Sequence, residues 1–201
     1  ASDVYKRQTY YTSDDALEQA TAPLYNRAWF DLNSRAIVPL GSNRANDNFS
    51  RWGAPEFTNF KVTALSENLA NAWTGFYSVI TMANAVISDV QTKCSNSVSE
   101  RAKRTAIAEA RLMRAEALLK MKQYKETMED IDAVLAQNPE EETAILLRGK
   151  VKEANGQEEE AEADYKLVTE VNPFNEQAYL YLGQLFINQK KFCLLYTSDA
   201  A

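Results

Sequence analysis

Apolar residues recur at three- and four-residue steps along most of the chain, which is the spacing of one face of an α-helix. The longest such stretches are residues 63–90 and 97–121, and the second contains neither Gly nor Pro. No comparable period crosses residues 38–57, which hold several Gly and Pro and predict a long irregular loop. The pattern therefore predicts an all-α protein of antiparallel helix hairpins with one irregular segment in its N-terminal half.

Capping residues and a proline place helix ends in the N-terminal half. Ser13 precedes two acidic residues and is a favourable N-cap, so a helix is expected to begin there. Pro23 predicts a kink or a break in that helix. Ser97, with Glu100 three residues later, forms a capping box and predicts the start of another helix.

Aromatic and amide residues supply the first candidate ligand group. In the loop, Trp52 follows Arg51 and Asn48 lies close in sequence. An aromatic face can stack on the C–H face of a sugar while planar polar groups bond its hydroxyls, so these three residues could form a glycan platform. Alternatively, Trp52 folds back on the core. In the 63–90 helix, Asn84 lies on a face with Trp73 and other apolar residues, and a buried amide bonded to backbone is expected there.

A repeat of 34 residues follows residue 121. It separates Pro139 from Pro173 and Gly149 from Gly183. Gly149 is small where two helices of a hairpin would cross closely, and Gly156 suits the tight turn between helices. Each hairpin would leave an apolar face that only its neighbour covers, so the repeat predicts a short solenoid of stacked hairpins.

Composition narrows the function classes. The net charge of −6 argues against a general nucleic-acid surface, and no apolar run is long enough to span a membrane. The chain has no His, which removes His-based acid–base and nucleophilic catalysis and most zinc sites. We therefore expect a protein that is not an enzyme and uses no cofactor or metal. The acidic run at 158–164 is expected to be a solvated helix start rather than a cation site.

Residues 9–117 resemble the N-terminal part of the SusD/RagB family of nutrient-binding outer-membrane lipoproteins. The resemblance rests on Trp73, Tyr77, Ile80 and Ala83-Asn84, on Ala108-Glu109-Ala110-Arg111 with Arg114-Ala115, and on Tyr11 to Ala16 with Tyr25. It implies capture of glycans or other nutrients at the cell surface beside a TonB-dependent transporter. The signal peptide, the lipid-bearing Cys and the large C-terminal part of that family are expected to lie outside this chain.

Residues 108–192 resemble tetratricopeptide repeats, with a third repeat that is truncated. The resemblance rests on Gly149, Gly156, Ala161, Tyr165 and Pro173, and on their counterparts one period away. It implies a right-handed solenoid in which a peptide or protein partner binds a concave groove formed by the first helix of each hairpin. By position, the groove candidates are Lys150, Glu153, Gln177, Gln184 and Asn188. A merely solvated face remains the alternative for these residues.

The two ends of the chain can be encoded by DNA words that are reverse complements of each other. Residues 1–8 and 193–201 therefore resemble translated sequencing adaptor, and we leave them out of fold reasoning. The change of resemblance within one helix raises three hypotheses: a nutrient-capture module, a tetratricopeptide scaffold, or two reading frames joined near residues 111–118.

Overall fold

The computed structural model describes residues 11–25, 63 and 67–189, and every regular element in these ranges is a helix. The expected all-α fold of stacked helices is therefore confirmed for this part of the chain, whereas the loop expected at 38–57 lies outside it. The helices are α1 Asp14–Pro23, α2 Glu67–Lys93, α3 Glu100–Lys120, α4 Tyr124–Leu135, α5 Glu142–Ala154, α6 Glu158–Val171 and α7 Glu176–Asn188. They fall into two compact units that divide between Met121 and Lys122.

The first unit is built on the packing of α2 against α3, with α1 also lying on α3. Small side chains dominate its core, so the helices can approach closely. Burial in α2 follows helical spacing, and α3 is buried on two sides. The apolar stripe that the sequence predicts for α3, Ala108, Leu112, Ala115 and Leu119, is buried at Ala115 and Leu119, whereas a different face lies in the core of the first unit. The core residues of the three helices are Leu17, Leu24, Val79, Ala83, Val86, Val90, Ala106, Ala110, Met113 and Ala117.

Hydrogen bonds between the starts of α1 and α3 hold these two helices in register. Ser13 caps α1 as expected, accepting from the Ala16 backbone N–H at 3.2 Å. The capping box was wrong by two residues: Ser99 caps α3, while the Ser97 hydroxyl donates to the Thr12 carbonyl at 2.5 Å. Asp14 accepts from both the backbone N–H of Ser99, at 2.7 Å, and its hydroxyl, at 2.8 Å.

The second unit stacks α4 to α7 as consecutive antiparallel hairpins, and α5 against α6 is its most extensive contact. Gly149 lies against the fully buried ring of Tyr165, and a Cβ at Gly149 would come within 2.9 Å of Tyr165 Cδ1. Gly156 has a φ of +78° in the turn before α6. Both glycines therefore do what their spacing predicts: one permits a close helix crossing and the other a left-handed turn.

Glu142, at the start of α5, holds the loop that joins α6 to α7. Its carboxylate accepts from the side-chain amide of Asn172 at 3.0 and 3.1 Å and from that of Asn175 at 2.6 Å. Asn175 in turn caps α7, accepting from the backbone N–H of Ala178 at 3.0 Å. One partly buried carboxylate thus fixes where α7 begins.

Candidate functional site

Two surfaces, one in each unit, bring candidate functional side chains together. The first is the aromatic pair, which we define as Trp73 and Tyr77 on α2. Their rings lie one helical turn apart, nearly parallel at 19°, with centroids 5.7 Å apart. About half of each side chain is exposed. Because the rings are close to parallel, they present a flat apolar surface large enough for a planar or chair-shaped partner.

Hydroxyl groups line the same part of α2. A shallow concavity of about 480 Å³ is bounded by Trp73, Thr74, Tyr77, Ser78, Thr81 and Met82. The Thr74 hydroxyl donates to the Ala70 carbonyl at 2.9 Å and keeps its lone pairs as acceptors. A ligand on the rings would therefore meet hydroxyl donors and acceptors at the edge of an apolar platform.

The sequence interpretation of α2 needs two corrections. Trp73 was placed on an apolar face of the helix, but it is half exposed, and the buried apolar side chains among the described residues of α2 are the shorter Val79, Ala83, Val86 and Val90. Asn84 was expected to be a buried amide bonded to backbone. It is exposed, and its Oδ1 accepts a hydrogen bond from the guanidinium of Arg114 on α3. Asn84 therefore helps to pin α3 to α2. The predicted glycan platform of Asn48, Arg51 and Trp52 lies outside the described residues.

The second surface is the repeat groove, defined by one face each of α5 and α7. Gln177, Tyr181, Gln184 and Asn188 follow each other at steps of four, three and four residues and so share a face of α7. The Lys150 ammonium lies 3.8 Å from the centroid of the Tyr181 ring, a cation–π contact. Asn188 lies 3.5 Å from the Glu153 carboxylate, to which its amide donates.

The structure thus brings Lys150, Glu153 and Asn188 together. It places Gln177 and Gln184 on the same face of α7 with their side chains exposed. The prediction missed Tyr181, although its position between two groove glutamines at helical spacing was a usable signal. The Tyr165 hydroxyl donates to Glu153 at 3.0 Å, and burial raises the pKa of that phenol, with the Glu153 charge adding to the effect. Glu153 is therefore held by Tyr165 through one carboxylate oxygen and presents its second oxygen to Asn188 in the groove.

A further cleft of about 400 Å³ lies between α1 and α3 in the first unit. Thr21 and Glu109 line it, and burial raises the pKa of the Glu109 carboxyl, which a hydrogen bond from Thr21 partly opposes. Glu18, on the same wall, adds to the rise through its charge. The cleft is polar and contains groups that already bond one another.

The acidic run of α6 is exposed at residues 158–160, as expected for a solvated helix start, but Asp164 at its end is buried and paired with basic side chains of α5. The buried Asp164 accepts from Arg148 at 2.8 and 3.0 Å and lies 2.9 Å from the Lys152 ammonium. Within the described residues, no group of three or more carboxylate, Cys or His side chains converges as a cation would require. Over the same residues, none of the helices combines the length and the apolar character needed to cross a bilayer.

Comparison with known proteins adds a homologous stretch and two similar solved structures, although no protein-family model matches the chain. A stretch of 111 residues is 68% identical to a SusD-like protein of Bacteroides ovatus, covering 55% of this chain and 20% of that protein. One crystal structure is 41% identical with a TM-score of 0.70, covering 80% of this chain and 41% of the other. A second, which contains xylogluco-oligosaccharide, is 40% identical with a TM-score of 0.66, covering 77% and 40%.

Part of the chain is therefore homologous to a SusD-like protein. The chain spans about a fifth of the length of that relative and about two fifths of the solved structures. Each structural match covers more residues than the 121 of the first unit, so the likeness continues into the second unit.

Proposed function

We propose that the first unit binds glycan without catalysing a reaction, as part of a SusD-like nutrient-capture protein. The observation that carries the proposal is the exposed, nearly parallel pair of Trp73 and Tyr77 on the helix that bears the family-like motif. The homologous SusD-like protein and the similar structure crystallised with xylogluco-oligosaccharide support it.

The chemistry of a sugar suits this surface. A pyranose ring has apolar C–H faces and a rim of hydroxyls, so it gains from stacking on a ring face while its edge bonds polar groups. The aromatic pair offers the face, and Thr74, Ser78 and Thr81 offer hydroxyls along the same helix. Arg51, Trp52 and Asn48 remain proposed as a second group of glycan contacts from the loop.

Affinity gel electrophoresis of the whole chain in xyloglucan tests the proposal. We expect retardation of the wild type, and a loss of affinity of roughly tenfold on Trp73→Ala, which corresponds to about 1.4 kcal/mol. Phe174→Ala is the matched control, because Phe174 is an exposed aromatic residue of the second unit. Circular dichroism confirms that each variant is folded.

Three results separate the alternatives. Loss on Trp52→Ala but not on Trp73→Ala assigns binding to the loop and removes the aromatic pair from the site. Equal retardation of the wild type and both Trp variants refutes both platforms. Absence of retardation on a panel of plant and microbial polysaccharides refutes glycan capture. By resemblance, we propose further that the natural protein is attached to the outer-membrane surface and works beside a TonB-dependent transporter.

The repeat groove supports a second function, binding of a peptide or protein segment by a tetratricopeptide scaffold. The specific observation is the convergence of Lys150, Glu153 and Asn188 around Tyr181. Amide, ammonium and carboxylate groups on one surface can bond a peptide backbone and its charged side chains. If a partner pulled down by the wild type is lost on the double substitution Lys150→Glu and Gln184→Glu, the result would support this function. If the double variant pulls the partner down as well as the wild type does, the result would contradict it.

We also propose that the chain joins two reading frames near residues 111–118. The 68% identical stretch covers 55% of the chain, which supports a change of origin within it, whereas the two similar structures cover 80% and 77% of the chain and count against one. Amplification across the boundary from the source DNA is the test: absence of a product supports a join, and a single product of the expected size refutes it.

A further inference from the structure

We propose that Asn155 is a site of spontaneous deamidation and that the turn between α5 and α6 gates the reaction, which proceeds only when this turn opens. Asn155 is the C-cap of α5 and Gly156 follows it, the only Asn-Gly pair in the chain. This dipeptide suits the reaction best, because glycine has no side chain to hinder its backbone nitrogen. The proposal concerns the interior of the second unit and does not depend on glycan binding.

The reaction needs only water besides the chain. The backbone nitrogen of Gly156 attacks Cγ of the Asn155 side chain and forms a C–N bond, and the side-chain nitrogen leaves as ammonia with the proton that Gly156 loses. Water then adds to either carbonyl carbon of the succinimide ring and returns a proton to the ring nitrogen, which gives aspartate or isoaspartate. Asn155 is exposed, so water can reach its side chain.

The folded turn holds the reacting atoms apart. Ring closure requires the Gly156 nitrogen to eclipse Cβ of Asn155 about the Cα–C bond. The ψ of Asn155 is 2°, so that nitrogen instead eclipses the backbone nitrogen of Asn155. Because the substituents of Cα are arranged tetrahedrally, the bond must rotate by about a third of a turn before the ring can close.

Two backbone hydrogen bonds oppose this rotation. The Gly156 N–H donates to the Glu153 carbonyl at 3.0 Å, and the Gln157 N–H donates to the Lys152 carbonyl at 2.9 Å. Together with the left-handed φ of +78° at Gly156, these bonds form the Schellman motif that ends α5. Both bonds span the Asn155 Cα–C bond, so the rotation breaks them. The rate of deamidation therefore reports the fraction of molecules in which the turn is open.

The product cannot restore the same turn. Isoaspartate carries the main chain through its side chain, which adds a carbon between α5 and Gly156. Either product also places a carboxylate at the C-terminal end of α5, where the helix dipole disfavours negative charge. Because this turn joins α5 to α6, deamidation should loosen the contact of Gly149 with the Tyr165 ring.

Peptide mass spectrometry of the full chain during incubation at neutral pH tests the proposal. Trypsin releases Asn155 in the peptide 153–166, and it releases Asn96, the internal comparison, in the peptide 94–101. We expect deamidation of Asn155 to be slower by about tenfold or more in the folded chain than in the same chain unfolded in guanidinium chloride. Asn155→Gln should abolish the signal, because a glutamine would have to close a larger ring.

Two glycine variants test the gate. Gly149→Ala, which places a Cβ against the Tyr165 ring, should speed deamidation of Asn155 by about 5- to 30-fold, the factor that corresponds to about 1 to 2 kcal/mol. Gly183→Ala is the matched control and should not speed it, since its Cβ would meet no atom within 4 Å. Asn96 lies in the first unit and should react at one rate in all three chains.

Three results would overturn the proposal. The first is an equal rate at Asn155 in the folded and the unfolded chain, which would remove the gate. The second is an unfolded chain in which Asn155 does not react, which would remove the site. The third is a Gly149→Ala chain whose α5 and α6 exchange amide hydrogens faster while Asn155 deamidates no faster, because opening of the turn would then not control the reaction.

Discussion

Replacing Gly149 by Ala tests the close crossing of α5 and α6 on which the second unit depends. In an open helix this change stabilises by about 1 kcal/mol, because Ala has the higher helix propensity. Here the new Cβ would come within 2.9 Å of Tyr165 Cδ1 and 3.1 Å of Cζ, and closer still to Cε1. Because Tyr165 is fully buried and bonded to Glu153, its ring cannot turn away freely.

The two effects can be weighed. Overpacking of this kind costs about 1 to 3 kcal/mol, and displacement of the Tyr165 ring would also strain its charge-assisted hydrogen bond. We therefore expect Gly149→Ala to destabilise the second unit by about 1 to 2 kcal/mol after the gain in propensity. Gly183→Ala is the control: its Cβ meets no atom within 4 Å, so propensity alone should stabilise by up to about 1 kcal/mol.

Hydrogen exchange of the full-length chain measures this difference locally. Peptides from α5 and α6 should exchange faster in Gly149→Ala and no faster in Gly183→Ala. Thermal unfolding followed by circular dichroism should give a lower Tm for Gly149→Ala than for Gly183→Ala, by about 4 to 8 °C per kcal/mol for a unit of this size. In a Tyr165→Leu background the cost of Gly149→Ala should shrink, because the colliding ring is gone. A Gly149→Ala variant as stable as Gly183→Ala would refute the crossing.

Two further predictions concern single carboxylates. Bonding to Ser99 holds the pKa of Asp14 below its usual range, so Asp14 stabilises the folded state above about pH 4 and this contribution is lost as the pH falls through its lowered pKa. Urea unfolding from pH 2 to 7 should show a smaller loss of stability at low pH for Asp14→Asn, and identical profiles would contradict the assignment. Glu142→Ala should free the amides of Asn172 and Asn175 and destabilise the start of α7 by about 1 to 3 kcal/mol, with Glu142→Gln intermediate. Hydrogen exchange at residues 172–180 checks this, and protection equal to wild type in Glu142→Ala would contradict it.

The helix packing of the second unit could be predicted from sequence in detail, because the residue types that it requires recur locally and at a fixed period. A glycine every 34 residues at a helix crossing and another at a turn each have one physical explanation, and the structure confirms both at Gly149 and Gly156. The groove candidates were placed by the same register, and their role in binding stays a prediction. Tyr181 was missed because the groove candidates were all polar side chains, whereas its contact with Lys150 is a cation–π contact of an aromatic ring.

The first unit was less predictable because its outcome depends on which of several apolar faces finds a partner. α3 is rich in Ala, so its sequence offers more than one stripe, and the one that lies in the core of the first unit contains Ala106, Ala110 and Ala117. A face this flat favours short side chains on α2, which explains why Val79 and Ala83 are buried while the Trp73 indole is half exposed. Periodicity alone assigns the larger apolar residues to the core, because it contains no information on the shape of the opposing helix.

The N-cap of α3 shows a similar limit at a single residue. Ser97 and Ser99 are both favourable capping residues, and only Ser97 has a glutamate at the capping-box interval. Asp14 binds the backbone and hydroxyl of Ser99, and the Thr12 carbonyl accepts from Ser97. The choice is thus decided by a segment 85 residues away, which local sequence rules do not include.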